Sequence, residues 1–189
     1  MATTPTLSHI AFMTRRFEEM KAWYINVFGA EIVHGNPAIA FLTYDAESHR
    51  FAIANLDVLK PDMPADSGTG EIGVNHIAYT YASAGDLLET YARLKEKGLT
   101  PYWPIHHGFT LSFYYQDPDG NRIELQVETC NSRDAFDFMR SEAFANNPVG
   151  VEVDPETLLA LYRAGASEAE LTARPEGKPS PIPAAHGMV

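Results

Sequence analysis

The chain has 189 residues, 45% hydrophobic and 21% charged, which fits one domain or two small fused modules and excludes general disorder. With 14 Lys plus Arg against 25 Asp plus Glu, its net charge of −11 repels phosphate backbones and anionic lipid, arguing against nucleic-acid and membrane partners. The single cysteine, Cys130, allows neither an intrachain disulfide nor a cysteine-rich zinc site.

Residues 7–12 read Leu-Ser-His-Ile-Ala-Phe, a short run rich in β-formers. Phe17, Met20, Tyr24 and Phe28 follow at steps of three and four, which predicts an amphipathic helix over 16–28 with Gly29 as its C-cap. Strand-like runs come next at 30–33, 38–44 and 49–56. A polar joint at 60–70 leads to residues 74–79, Val-Asn-His-Ile-Ala-Tyr, an echo of the first run with His76 in the place of His9. Ser83 can cap a second helix whose apolar face is Leu87, Leu88, Tyr91 and Leu94, ended by Gly98. Strand-like runs recur at 100–105, 110–116 and 122–127. The last two are joined by Asp117-Pro118-Asp119-Gly120-Asn121, where proline presets φ and glycine accepts a positive φ. The plan is βαβββ twice, over 6–57 and 72–128, within an α+β domain spanning 1–130. A helical extension over 131–166 contains two patterns, 134–144 and 155–163. Residues 175–183 are too proline-rich to pack, and 167–189 are expected to form a mobile tail.

Of the seven histidines, His34 and His186 carry no pattern, one near a turn and the other in the tail. His9 and His76 hold the same place in both repeats. Across a pseudo-two-fold axis such positions face each other, where two imidazoles can share a divalent ion or sit as core residues with a polar partner. Glu124 stands among alternating apolar residues in Arg122-Ile123-Glu124-Leu125-Gln126. A carboxylate buried there is costly unless a metal or a basic side chain compensates it. Aligning the repeats puts Ala52 opposite Glu124, so the site has three protein ligands and no fourth. Two histidines and a carboxylate with open positions are the donor set of non-haem Fe(II) oxygenases.

These residues closely resemble the vicinal oxygen chelate superfamily and, within it, the small one-domain type I extradiol catechol dioxygenases, over residues 6–128. The resemblance implies a half-open barrel around a metal held by His9, His76 and Glu124. Ser112-Phe113-Tyr114 before Asp117-Pro118-Asp119-Gly120 matches the family signature and makes Tyr114 its active-site tyrosine. His49 falls on the histidine beside the oxygen site. His107, in His107-Gly108-Phe109-Thr110, falls on a further active-site histidine, with His106 as its competitor. The implied chemistry is insertion of both atoms of O2 into a catechol-type diol to give a semialdehyde, with Fe(II) preferred over Mn(II). Tyr102, Trp103, Phe109, Phe113 and Tyr115 lie near the implied pocket, Tyr114 facing opposite to Phe113 and Tyr115. A homo-oligomer is expected, with 134–163 available for contact. The rivals are a four-ligand glyoxalase-type isomerase, a Mn(II) thiol transferase acting on an epoxide, and a metal-free binding protein. With no apolar run of roughly 20 residues and no signal-like regions at 1–5, a cytoplasmic protein is expected.

Overall fold

The computed structural model describes residues 5–28, 30–63, 72–116 and 122–188. Both repeats are present. The first comprises β1 (Thr6–Thr14), α1 (Phe17–Phe28), β2 (Glu31–Gly35), β3 (Ile39–Thr43) and β4 (Phe51–Asn55), followed by one helical turn, α2 (Leu56–Leu59). The second comprises β5 (Gly73–Thr80), α3 (Ala84–Glu96), β6 (Trp103–His106), β7 (Thr110–Gln116) and β8 (Arg122–Glu128). Ser83 caps α3 as its position predicts, its side chain accepting from the Asp86 backbone N–H. The Gly29 cap, most of the polar joint and the turn at 117–121 lie outside the described residues.

The strands form one mixed sheet in the order β2-β3-β4-β1-β5-β8-β7-β6-β9, in which β9 (Val151–Glu152) is a short addition from the C-terminal extension. Outward from the centre both halves read alike, and among the described residues the sheet does not close into a barrel. Within each half the first strand runs parallel to the last, and β1 meets β5 antiparallel at the seam. The register fixes the equivalences. Ala11 pairs with Ala52, and Ala78 pairs with Glu124. Ala11 and Ala78 stand two residues after His9 and His76, so Ala52 does occupy the place of Glu124.

Period-two alternation on the strands separates core from site. Leu111, Phe113, Tyr115 and Val127 point towards α3 and pack on Leu87, Leu88 and Tyr91, whereas Thr110, Tyr114, Glu124 and Gln126 line the opposite face. The first half repeats the scheme with Phe17, Met20 and Tyr24 of α1 against Leu42, Phe51 and Ile53. Each fully buried leucine contributes about 1.5–3 kcal/mol, so both helices are held chiefly by these stripes.

The extension adds α4 (Ser132–Met139), α5 (Glu142–Asn146), α6 (Pro155–Arg163) and α7 (Glu168–Leu171). The helix expected over 134–144 is thus two helices, because Ser141 starts a new one by accepting from the Phe144 backbone N–H. Ala135, Met139 and Phe144 bury against Val33 and Phe109, and Leu159 of α6 buries against the α3 cluster. The apolar faces offered for subunit contact are therefore largely used within the chain.

The expectation of a mobile tail over 167–189 is corrected. Leu171, Ser180 and His186 are buried, and the segment ends in a 3-10 turn, Ala184–His186. Pro179, Pro181 and Pro183 fix φ, so ordering this stretch costs little backbone entropy. Its polar groups are also satisfied. The Ser180 N–H donates to Gly150 O at 2.9 Å, Trp103 Nε1 donates to Ser180 Oγ at 3.1 Å, and Arg122 Nε donates to Ala185 O at 2.8 Å. Among the described residues no helix is long and apolar enough to cross a membrane.

Candidate metal centre

Three strands deliver three donor atoms to one point. His9 on β1 and His76 on β5 bring their Nε2 atoms to 3.0 Å of each other, and Glu124 on β8 places Oε2 at 3.2 and 3.1 Å from them. Three donors about 2.1 Å from a shared ion stand ~3.0 Å apart at 90° angles and ~3.4 Å apart at tetrahedral ones. The observed triangle fits one face of an octahedron better than a tetrahedron. All three residues are buried, and Oε2 makes no aligned hydrogen bond. A buried carboxylate oxygen without a proton donor, facing two imidazole nitrogens, is what a bound cation would resolve.

The surrounding charges agree. Burial alone would push the Glu124 carboxyl up, but the imidazoles of His9 and His76 beside it hold it well below the usual carboxylate range. Burial pushes His76 and His107 down, and burial together with neighbouring His9 pushes His49 down further. The centre is thus one buried anion facing imidazole nitrogens, with burial favouring the neutral form of His76, His107 and His49, a set suited to a divalent cation. Asn75 fixes the tautomer of His76. Its Oδ1 accepts from His76 Nδ1 at 2.9 Å, leaving Nε2 with a free lone pair. His9 Nδ1 has no hydrogen-bond partner among the described residues.

Beside the triad lies a cavity of ≈ 260 Å³ whose apolar wall includes Ile39, Phe41, Phe109 and Phe144. Both of the other expected histidines reach it. The His49 ring lies 4.3 Å from that of His9, and Ser48 Oγ engages its Nδ1 at 3.2 Å. His107 Nδ1 donates to Val149 O at 2.6 Å, so its Nε2 accepts the Tyr114 hydroxyl proton at 3.1 Å. Burial, reinforced by Glu124, raises the Tyr114 hydroxyl well above the ordinary phenol value. His106 faces away from the cavity, donating from Nε2 to Thr172 O at 2.9 Å and accepting the Gly108 N–H on Nδ1. Trp103 and Phe109 also line the cavity, while Phe113 and Tyr115 belong to the core.

All six residues singled out by sequence thus converge around one cavity. Sequence reading missed Asn75 and the tail residues Ile182, His186 and Met188, which line the same space. A usable signal existed for Asn75, since a ligating imidazole needs an acceptor for its second nitrogen and this residue adjoins His76. His186 gave no signal, because nothing in the tail repeats or alternates.

Two residues beyond Gln126, Glu128 is pushed up to about 8 by burial and by neighbouring Glu47 and Glu124. An acid whose folded value exceeds its unfolded value of about 4.5 stabilises the fold fully below that lower value. The contribution is lost as pH rises through about 8. The protein is therefore expected to be less stable to urea at pH 9 than at pH 6, and Glu128→Gln should flatten that difference. An equal slope in the variant would remove Glu128 as its source.

A model of the Glyoxalase/Bleomycin resistance protein/Dioxygenase superfamily matches residues 6–125. Biphenyl-2,3-diol 1,2-dioxygenase 3 of Rhodococcus globerulus is 38% identical over 180 residues, covering 92% of this chain and 90% of that protein. Biphenyl-2,3-diol 1,2-dioxygenase 2 of the same organism is 40% identical over 174 residues, covering 91% and 89%. Among solved structures, the Mn(II)-bound glyoxalase from Novosphingobium aromaticivorans superposes with a TM-score of 0.53 at 25% identity, over 65% of this chain and 37% of that one.

Proposed function

The chain belongs to the Glyoxalase/Bleomycin resistance protein/Dioxygenase superfamily, and from that premise we propose that it is an extradiol dioxygenase cleaving an aromatic diol. In this reading His9, His76 and Glu124 hold Fe(II), O2 is the co-substrate and the product is a ring-opened semialdehyde. The relatives named for biphenyl-2,3-diol support a substrate of that class. The observation that carries the reading is the three-donor face itself, with Ala52 at the place of a fourth ligand and an apolar cavity in front. A four-ligand isomerase would need a side-chain donor where Ala52 stands.

When bound, the ion supplies Lewis acidity to the diol oxygens and a common meeting point for diol and O2. The chain's own groups manage protons and exclusion of water. Tyr114 donates its proton to His107 Nε2, so its oxygen is free to accept a diol hydroxyl. As that diol proton arrives at Tyr114, the tyrosine proton can pass to His107 Nε2, and the carbonyl of Val149 stabilises the resulting imidazolium through Nδ1. Ser48 occupies Nδ1 of His49 and leaves Nε2 as the nitrogen to exchange a proton, in a ring 4.3 Å from that of His9. Phe41, Phe109 and Phe144 keep bulk water from these transfers.

The test is anaerobic loading with Fe(II), then biphenyl-2,3-diol and catechol with oxygen uptake and yellow product colour as readouts. One O2 consumed per diol, dependent on iron, is the expected result. Full iron occupancy with no uptake on any diol would overturn the reading.

A further inference from the structure

We propose that residues 180–188 form a strap that is a working part of this site, with His186 as a wall of the substrate cavity and Asn75 as a positioning residue linking the strap to His76. The inference rests on the reading above and links a segment outside the two repeats to Asn75 within the second.

Asn75 is 4% exposed and uses both ends of its carboxamide. Oδ1 takes the proton of His76 Nδ1 at 2.9 Å, while Nδ2 donates to the His186 carbonyl at 3.2 Å and lies 2.9 Å from Met13 Sδ. The carbonyl can only accept, so this bond selects the Asn75 orientation that presents oxygen to the metal ligand. In the first half the counterpart of Asn75 is Ser8, which accepts instead from Gln126 Nε2 at 2.8 Å. Among the described residues the link to the tail therefore exists only on the His76 side. The His186 ring, 2% exposed, stands 5.6 Å from His76, 4.8 Å from Tyr114 and 4.7 Å from Trp103, and Tyr102 OH meets its Nδ1 at 3.2 Å. Ile182 and Met188 add two apolar contacts to the cavity wall. The strap is anchored upstream by Ser180 and turned downstream at Gly187, whose φ of +71° suits glycine and where a Cβ would lie 2.3 Å from Arg122 Nη2.

The test uses the full chain with two readouts, Mn(II) affinity of the metal-free protein by electron paramagnetic resonance titration and the KM and kcat for biphenyl-2,3-diol. Asn75→Ala should weaken Mn(II) binding about 10–100-fold, the usual effect of losing a ligand's hydrogen-bond partner. Asn75→Asp keeps the acceptor for His76 but loses the donor to the strap, so it should restore Mn(II) affinity while leaving KM raised. His186→Ala keeps the backbone carbonyl and should keep Mn(II) affinity while raising KM roughly three- to tenfold with little change in kcat. Gly187→Val, which also shifts the His186 carbonyl off Asn75, should raise KM and weaken Mn(II) binding. His186→Gln replaces His186→Ala if circular dichroism shows that the latter does not fold. Native Mn(II) affinity in Asn75→Ala, or native KM in both strap variants, would overturn the proposal. A native protein that binds no Mn(II) and cleaves no diol would instead overturn the reading on which it rests.

Discussion

Glu124→Gln is expected to remove bound metal and diol cleavage together. Glu124 is the anion of the centre, 1% exposed, and burial favours the neutral form of His76 and His49 near it. Glutamine keeps the volume and the strand pairing with Ala78 and Tyr114. What disappears is the charge that draws a divalent ion into an apolar cavity. Metal catalysis supplies several kcal/mol, and each 1.36 kcal/mol is a factor of ten, so turnover should fall by about 10³-fold or more. Metal analysis should find well under one equivalent per chain. The fold should persist, because an uncompensated buried carboxylate is itself unfavourable in the metal-free state. A variant retaining stoichiometric metal would rule out Glu124 as a ligand.

His49→Phe should separate binding from chemistry. Phenylalanine preserves the ring contacts that His49 makes with His9 at 4.3 Å, Phe41 at 5.0 Å and Phe109 at 5.8 Å. It removes both nitrogens and leaves Ser48 Oγ without the partner it has at 3.2 Å, a stability cost of about 1 kcal/mol. Fe(II) content should match the native protein, while kcat falls about 10²–10⁴-fold, the range for losing a positioned acid or base. Turnover within tenfold of native would take His49 out of the mechanism.

The two repeats were legible because each leaves a pattern that physics imposes locally. A β-run, an amphipathic helix and three further runs recur, and register then makes His9, His76 and Glu124 convergent and Ala52 the vacant counterpart. Alternation on β7 correctly sends Tyr114 one way and Phe113 and Tyr115 the other. The choice between His106 and His107 needed three dimensions, since both lie at one strand end and only backbone direction decides which ring enters the cavity. The tail was misread because proline content reports the absence of regular hydrogen bonding. It says nothing about whether Ile182, His186 and Met188 find an apolar recess. The break between α4 and α5 was invisible to periodicity, because Met139 and Phe144 bury in one cluster despite the interruption.

The seam between β1 and β5 has a consequence for how the molecule comes apart. His9 belongs to one half while His76 and Glu124 belong to the other, so neither half owns a complete set of donors. Any ion that occupies the triad rivets two separately packed helix-and-strand cores. Occupancy adds its mass-action stabilisation to the docked pair alone, which makes melting of the loaded molecule more nearly all-or-none than that of the stripped one.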